Sequence, residues 1–142
     1  METILFACVH NAGRSQMAAA WFNAFADPLR AQAVSAGTDP GRRVHPEVLE
    51  VMNEVGIELA TSTPRLLTPE LAKRASLLVT MGCGEACPAV PGLKTADWPL
   101  EDPKGKPLGV VRRIRDDVRA RVIALLRDKG WNRGADTERE KS

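Results

Sequence analysis

Three thiols stand out in this 142-residue chain: Cys8 near the N-terminus, and Cys83 and Cys87 four residues apart in the middle. An odd count does not suit a set of structural disulfides, and a reducing compartment would not support one, so the thiols are candidates for chemistry. Cys8 opens the string Cys8-Val9-His10-Asn11-Ala12-Gly13-Arg14-Ser15, a C-x5-R-S pattern. Backbone N–H groups in such a loop can surround a tetrahedral oxyanion when a helix N-terminus follows. Arg14 supplies a planar fork for two oxygens of that anion, and the same positive field favours Cys8 as the thiolate, which is the nucleophilic form. Ser15 is placed to hydrogen-bond the sulfur. Asn11 suits a left-handed turn and an amide brace. A carboxyl group near the anion would protonate a leaving oxygen, and Asp102 in Glu101-Asp102-Pro103 is the candidate, although Asp-Pro is also an ordinary turn pair.

These residues need elements to hold them. Thr3 to Ala7 is a short apolar run ending at Cys8, which reads as a strand buried on both faces. Ala18, Trp21, Phe22 and Phe25 recur at helical spacing, and that helix ends near Asp27-Pro28. Residues 33–36 read as a second strand, and Pro46 as the first residue of a helix stopped at Gly56. Thr68 caps a shorter helix running to about Arg74. Residues 76–81 form a third strand leading into Gly82-Cys83, and 93–98 a weaker fourth. Val110 to Leu126 repeats at helical spacing, with Gly130 as the stop.

Strands alternating with helices imply one α/β domain over residues 1–131, built on a parallel four-stranded sheet with helices on both faces, followed by a polar tail at 132–142. In such a sheet ligands lie beyond the carboxyl ends of the strands, where Cys8 and Cys83 both emerge. Trp21 reads as core, and Trp98 as either pocket lining or packing beneath the Asp102 loop.

Composition excludes several function classes. With 44% hydrophobic and 27% charged residues the chain is neither disordered nor fibrous, and no apolar stretch is long enough to span a membrane. Met1-Glu2-Thr3 carries no basic segment of the secretory kind, so the cytoplasm is the expected location. Residues 1–100 hold 8 basic and 10 acidic side chains, leaving 12 and 8 for the rest. That mild asymmetry, with 4% aromatics, is a poor footprint for nucleic acid. Cys83 and Cys87 with His10 or His45 make a poor match to zinc-site spacing, and no metal is expected.

The string Cys8 to Ser15, with Ser35-Ala36-Gly37 and Glu101-Asp102-Pro103, resembles the low-molecular-weight protein tyrosine phosphatase superfamily. Arg14-Ser15-Gln16-Met17-Ala18, Val79-Thr80-Met81 and Asp102-Pro103-Lys104-Gly105-Lys106 are similar to the thioredoxin-coupled arsenate reductases within it. The similarity spans about residues 3 to 127. It implies a flavodoxin-like domain in which Val9 to Ser15 bind the oxyanion, Cys8 is the nucleophile, Arg14 the clamp and Asp102 the general acid. It further implies a relay in which Cys83 attacks Cys8 and Cys87 resolves the product, leaving a Cys83–Cys87 disulfide for thioredoxin or a similar thiol donor to reduce, with no bound cofactor. Arsenate is the expected substrate, with phosphate or sulfate as competitors. Two features depart from the family: Gly82 separates the third strand from its thiol, and the two thiols stand closer together. Where some members bind potassium through carboxylates, the matching positions hold Ala19 and Arg65. The alternative is a phosphomonoesterase of the phosphatase type; the absence of Tyr, and of aromatic residues in Lys104-Gly105-Lys106, weighs against it.

Overall fold

The computed structural model describes residues 1–82 and 92–132. Strand β1 (Glu2–Cys8) is followed by α1 (Arg14–Phe25), β2 (Ala31–Gly37), α2 (Pro46–Asn53), α3 (Pro69–Lys73), β3 (Leu77–Thr80), β4 (Lys94–Asp97) and α4 (Leu108–Lys129). The four strands form one parallel sheet in the order β2-β1-β3-β4. From β1 the chain crosses to one side to make β2, then returns past β1 to make β3. The carboxyl end of β1 is therefore the point where strand order reverses, the position at which open α/β sheets bind ligands.

The apolar run of β1 is buried on both faces because successive side chains alternate. Ile4, Phe6 and Cys8 join the core beneath α1, α2 and α4, while Leu5 and Ala7 join a smaller core with Leu78 of β3 and Ala72 of α3. Helices cover both faces, but unequally. Ala18 and Ala19 keep α1 slim over the sheet, and α4 packs beside it, with Arg119 stacked over the rings of Trp21 and Phe25. Trp21 is buried, as its spacing implied, and Trp98 lies against Phe6, at 5.5 Å between ring centroids, within the larger core.

Local signals end the elements where the residues require. Thr68 accepts a hydrogen bond from the Leu71 N–H and caps α3, and Gly130 adopts the left-handed conformation that closes α4. Helix α2 stops at Asn53, short of Gly56, and the intervening turn presents Glu54 to Arg112 and Arg115 of α4. Helix α4 begins beside the carboxyl ends of the strands and runs back to the opposite end of the sheet. There Trp131 accepts a bond from the Asp27 N–H, Arg30 reaches the Gly130 carbonyl, and Asn132 bridges to Ala26. Asn132, the first residue of the segment expected to be tail, is thus tied to the fold. No described helix is long and apolar enough to cross a membrane.

Candidate active site

The loop between β1 and α1 is shaped by what its carbonyls do. Those of Cys8, Val9, His10 and Ala12 accept bonds from the N–H groups of Thr38, Asp39, Gly41 and His45 in turn. Across a planar trans peptide the carbonyl and the next N–H point in opposite directions. The amides of residues 9, 10, 11 and 13 are therefore turned to the inner side, and the Asn11 N–H meets Cys8 Sγ at 3.3 Å. Gly37 makes the approach possible, since a Cβ there would stand 2.5 Å from the Val9 carbonyl oxygen. Helix α1 adds its own amides: Gly13 at its N-cap offers no side chain, and the first turn holds no acidic residue. The result is a ring of donors with a helix dipole behind it, a setting that stabilises a bound anion.

Asn11 fixes that ring. It sits at φ +50°, a conformation Asn tolerates better than most residues. Its Oδ1 accepts from the Arg65 N–H at 3.0 Å and from Gln16 Nε2 at 3.2 Å, which orients the amide so that Nδ2 donates to Ser15 Oγ at 2.8 Å. With its oxygen accepting from Asn11, Ser15 has its own hydrogen left for Cys8 Sγ, 2.8 Å away. The sulfur thus lies between an O–H and an N–H donor, an arrangement suited to a thiolate.

Arg14, the first residue of α1, is nearly buried, with 8% of its side chain exposed. Nη1 donates to the Leu100 carbonyl at 3.1 Å, and Nη2 stands 3.9 Å from Asp102 Oδ2. These contacts hold the guanidinium while leaving most of its five donors for an anion. Asp102 is 46% exposed on its side chain, and its other oxygen accepts the Lys104 N–H. The Asp102 loop closes directly on the oxyanion loop: a Cβ on Gly13 would lie 2.8 Å from Pro103 Cγ. A bond from the Gly105 N–H to Glu47 ties the same loop to α2.

His10 leans outward, its Nδ1 on the Asp39 carbonyl, and joins Arg42, Arg43, His45 and Lys104 around a depression of about 380 Å³ beside the loop. With Asp39 as its one carboxylate, this depression offers a mainly cationic approach to an anion. Burial holds the His45 imidazole below its ordinary pKa of 6.5, while Glu47 and Asp102 pull it up.

The structure thus gathers Cys8, the 9–13 loop, Arg14, Ser15 and Asp102 at one sheet edge. Cys83 and Cys87 lie outside the described residues, but Gly82 precedes Cys83 in the chain, and the Met81 N–H bonds to the Ala7 carbonyl, next to Cys8. Ala19 and Arg65 do line one shallow depression, together with Gln16, Ser35, Ser62 and Thr63, and no described residues cluster as metal ligands. Sequence reading passed over the Leu100 carbonyl, the 38–45 segment, the Arg65 amide and the role of Gln16. Their contributions are backbone groups or distant partners that leave no spacing pattern.

Fold and site define a domain with a flavodoxin-like sheet and a buried thiol held in a loop of N–H donors at the strand ends. The chain belongs to the low molecular weight phosphotyrosine protein phosphatase family, whose model matches residues 3–137. It is 38% identical over 129 residues to a putative arsenate reductase of Halobacterium salinarum, covering 85% of this chain and 88% of that one. It is 36% identical over 126 residues to the arsenate reductase of Staphylococcus aureus strain Newman, with coverages of 85% and 93%. Among solved structures, the thioredoxin-dependent arsenate reductase of Corynebacterium glutamicum superposes with a TM-score of 0.77 at 35% identity, over 90% of this chain and 61% of that one.

Proposed function

We propose that this chain is an arsenate reductase working by a three-cysteine relay. The observation that carries the reading is a preformed anion cradle with Cys8 Sγ inside it, between the Asn11 N–H and the Ser15 hydroxyl, beside the strand end that leads to a second thiol. The names of the relatives in Halobacterium and Staphylococcus support arsenate as the anion.

In this reading the amides and Arg14 bind arsenate, and the Cys8 thiolate attacks arsenic while an oxygen leaves as water on a proton from Asp102. Cys83, as a thiolate, then attacks Cys8 Sγ. The electron pair of the S–As bond stays with arsenic, which falls from As(V) to As(III) and departs as arsenite, leaving a Cys8–Cys83 disulfide. Attack of the Cys87 thiolate on Cys83 Sγ returns Cys8 as a thiolate and forms Cys83–Cys87. Four residues of chain are enough to reach the Cα separation a disulfide requires, about 4.4–6.8 Å. A thioredoxin-like dithiol supplies the two electrons that reset the pair, a choice supported by the Corynebacterium neighbour. Phosphate and sulfate, with the same tetrahedral shape, compete for the cradle.

Arsenate-dependent NADPH consumption with thioredoxin and its reductase tests the whole scheme. Cys8→Ser is expected to abolish turnover, and Cys87→Ser to complete about one turnover per molecule, stalling with Cys8 joined to Cys83 on mass mapping. Multiple turnovers by Cys87→Ser with thioredoxin as sole reductant would sink the relay. A strong aryl phosphatase rate that survives loss of both Cys83 and Cys87 would favour the phosphomonoesterase alternative.

A further inference from the structure

We infer that Gly82 is a positioning residue for the Arg14 clamp, required because the chain leaving β3 passes in contact with the guanidinium. A Cβ at position 82 would stand 2.5 Å from Arg14 Nη1 and 3.6 Å from its Cζ, closer to Nη1 than real Cβ contacts come. The same nitrogen donates to the Leu100 carbonyl, which lies 3.4 Å from that Cβ position. Gly82 and Leu100 therefore bracket one end of a nearly buried guanidinium, and Asp102 stands at the other end. Moving Nη1 aside would break its bond to Leu100 and turn the fork away from the anion. Because the fork binds through a rigid plane, a small rotation costs it the paired geometry.

Gly82 has a second constraint, φ +84°, where any other L-residue except Asn or Asp is strained. Another glycine separates the two effects. Gly56 has φ +81° and nothing within 4 Å of its Cβ position, so Gly56→Ala carries the backbone strain without a collision. Gly82→Asn does the reverse, keeping the Cβ while tolerating the left-handed backbone.

The proposal rests on Arg14 as the oxyanion clamp of the proposed function, and it is tested with inorganic phosphate as the probe, by calorimetric titration of the full-length protein. Thermal melts of each variant accompany the titrations. Gly56→Ala is expected to bind phosphate as the unmodified protein does. Gly82→Ala and Gly82→Asn are both expected to bind about ten- to a hundredfold more weakly, the worth of one hydrogen bond to a charged group. Should Gly82→Ala fail to fold, Gly82→Asn carries the same Cβ and gives the same reading. Phosphate affinity within about twofold of the unmodified protein in a folded Gly82 variant overturns the proposal. So does recovery of affinity in Gly82→Asn alone, which would place the effect in backbone strain. Failure of the unmodified protein to bind phosphate would instead count against the oxyanion reading itself.

Discussion

The two loops that meet at Cys8 are built on opposite plans. In the 8–15 loop four carbonyls are bonded to the 38–45 segment, Asn11 makes three side-chain bonds, and six of the eight residues are buried. The 101–106 loop has a half-exposed carboxylate, one Asx-type bond from Lys104, a bond from Gly105 to Glu47 and a proline resting on Gly13. In the proposed function the first loop is a receptor whose donors stand in place before the anion arrives, and electrostatic stabilisation of that kind needs no reorganisation at the moment of reaction. The second holds a carboxylate at the solvent boundary, the position that the proposed function asks of its acid. In the proposed function preorganisation and proton supply would thus sit on separate segments, in contact through Pro103 and through Asp102 and Arg14.

That division should show as a difference between stability and turnover. Asn11→Ala strips partners from the Arg65 amide, Gln16 and Ser15 and puts a Cβ-bearing residue without a compensating amide at φ +50°. A loss of about 3 kcal/mol is expected in urea unfolding. Gly13→Ala pushes Pro103 off the oxyanion loop, and overpacking of this kind costs about 1–3 kcal/mol. Phosphate binding should survive it while turnover falls. Asp102→Asn should leave stability within about 0.5 kcal/mol, yet lower turnover by about 10² or more if the carboxyl is the acid. A loss of stability in Asp102→Asn as large as that of Asn11→Ala would erase the distinction between the two loops.

The smallest effect concerns His45, which lies where the two loops and α2 meet. Burial holds its folded-state pKa below 6.5, so the unfolded chain takes up the proton first as pH falls. Its contribution to stability is therefore complete above pH 6.5 and is lost as pH drops through 6.5 toward the folded value. Replacing His45 with Gln should flatten that part of a stability–pH curve, and a slope unchanged by the substitution would assign the titration elsewhere.

How much of this was legible in the sequence depended on how local each cause is. The strand before Cys8, the helix after Gly13, the Thr68 cap and the Gly130 stop follow from spacing and from residue types that act on their own neighbours. Asn11 was readable as a brace because few residues take its backbone conformation. What Asn11 braces was not readable: the Arg65 amide is 54 residues away, and a backbone N–H is the same whatever side chain it carries. The Leu100 carbonyl that holds Arg14 is hidden for the same reason, 86 residues along. Gly82 was visible as an inserted glycine, but the guanidinium it admits becomes apparent only once the sheet has set β3 beside β1.

The return of α4 to the far edge of the sheet decides where the molecule can be handled. Glu2, Arg30, Gly130 and Trp131 share one surface depression, so the start of β1 and the end of the described chain are neighbours. That edge lies the length of β1 from Cys8, about 20 Å at the rise of a parallel strand. An affinity handle, a surface tether or a fused reporter joined ahead of β1 would leave the far end of that strand, with Cys8, facing open solution.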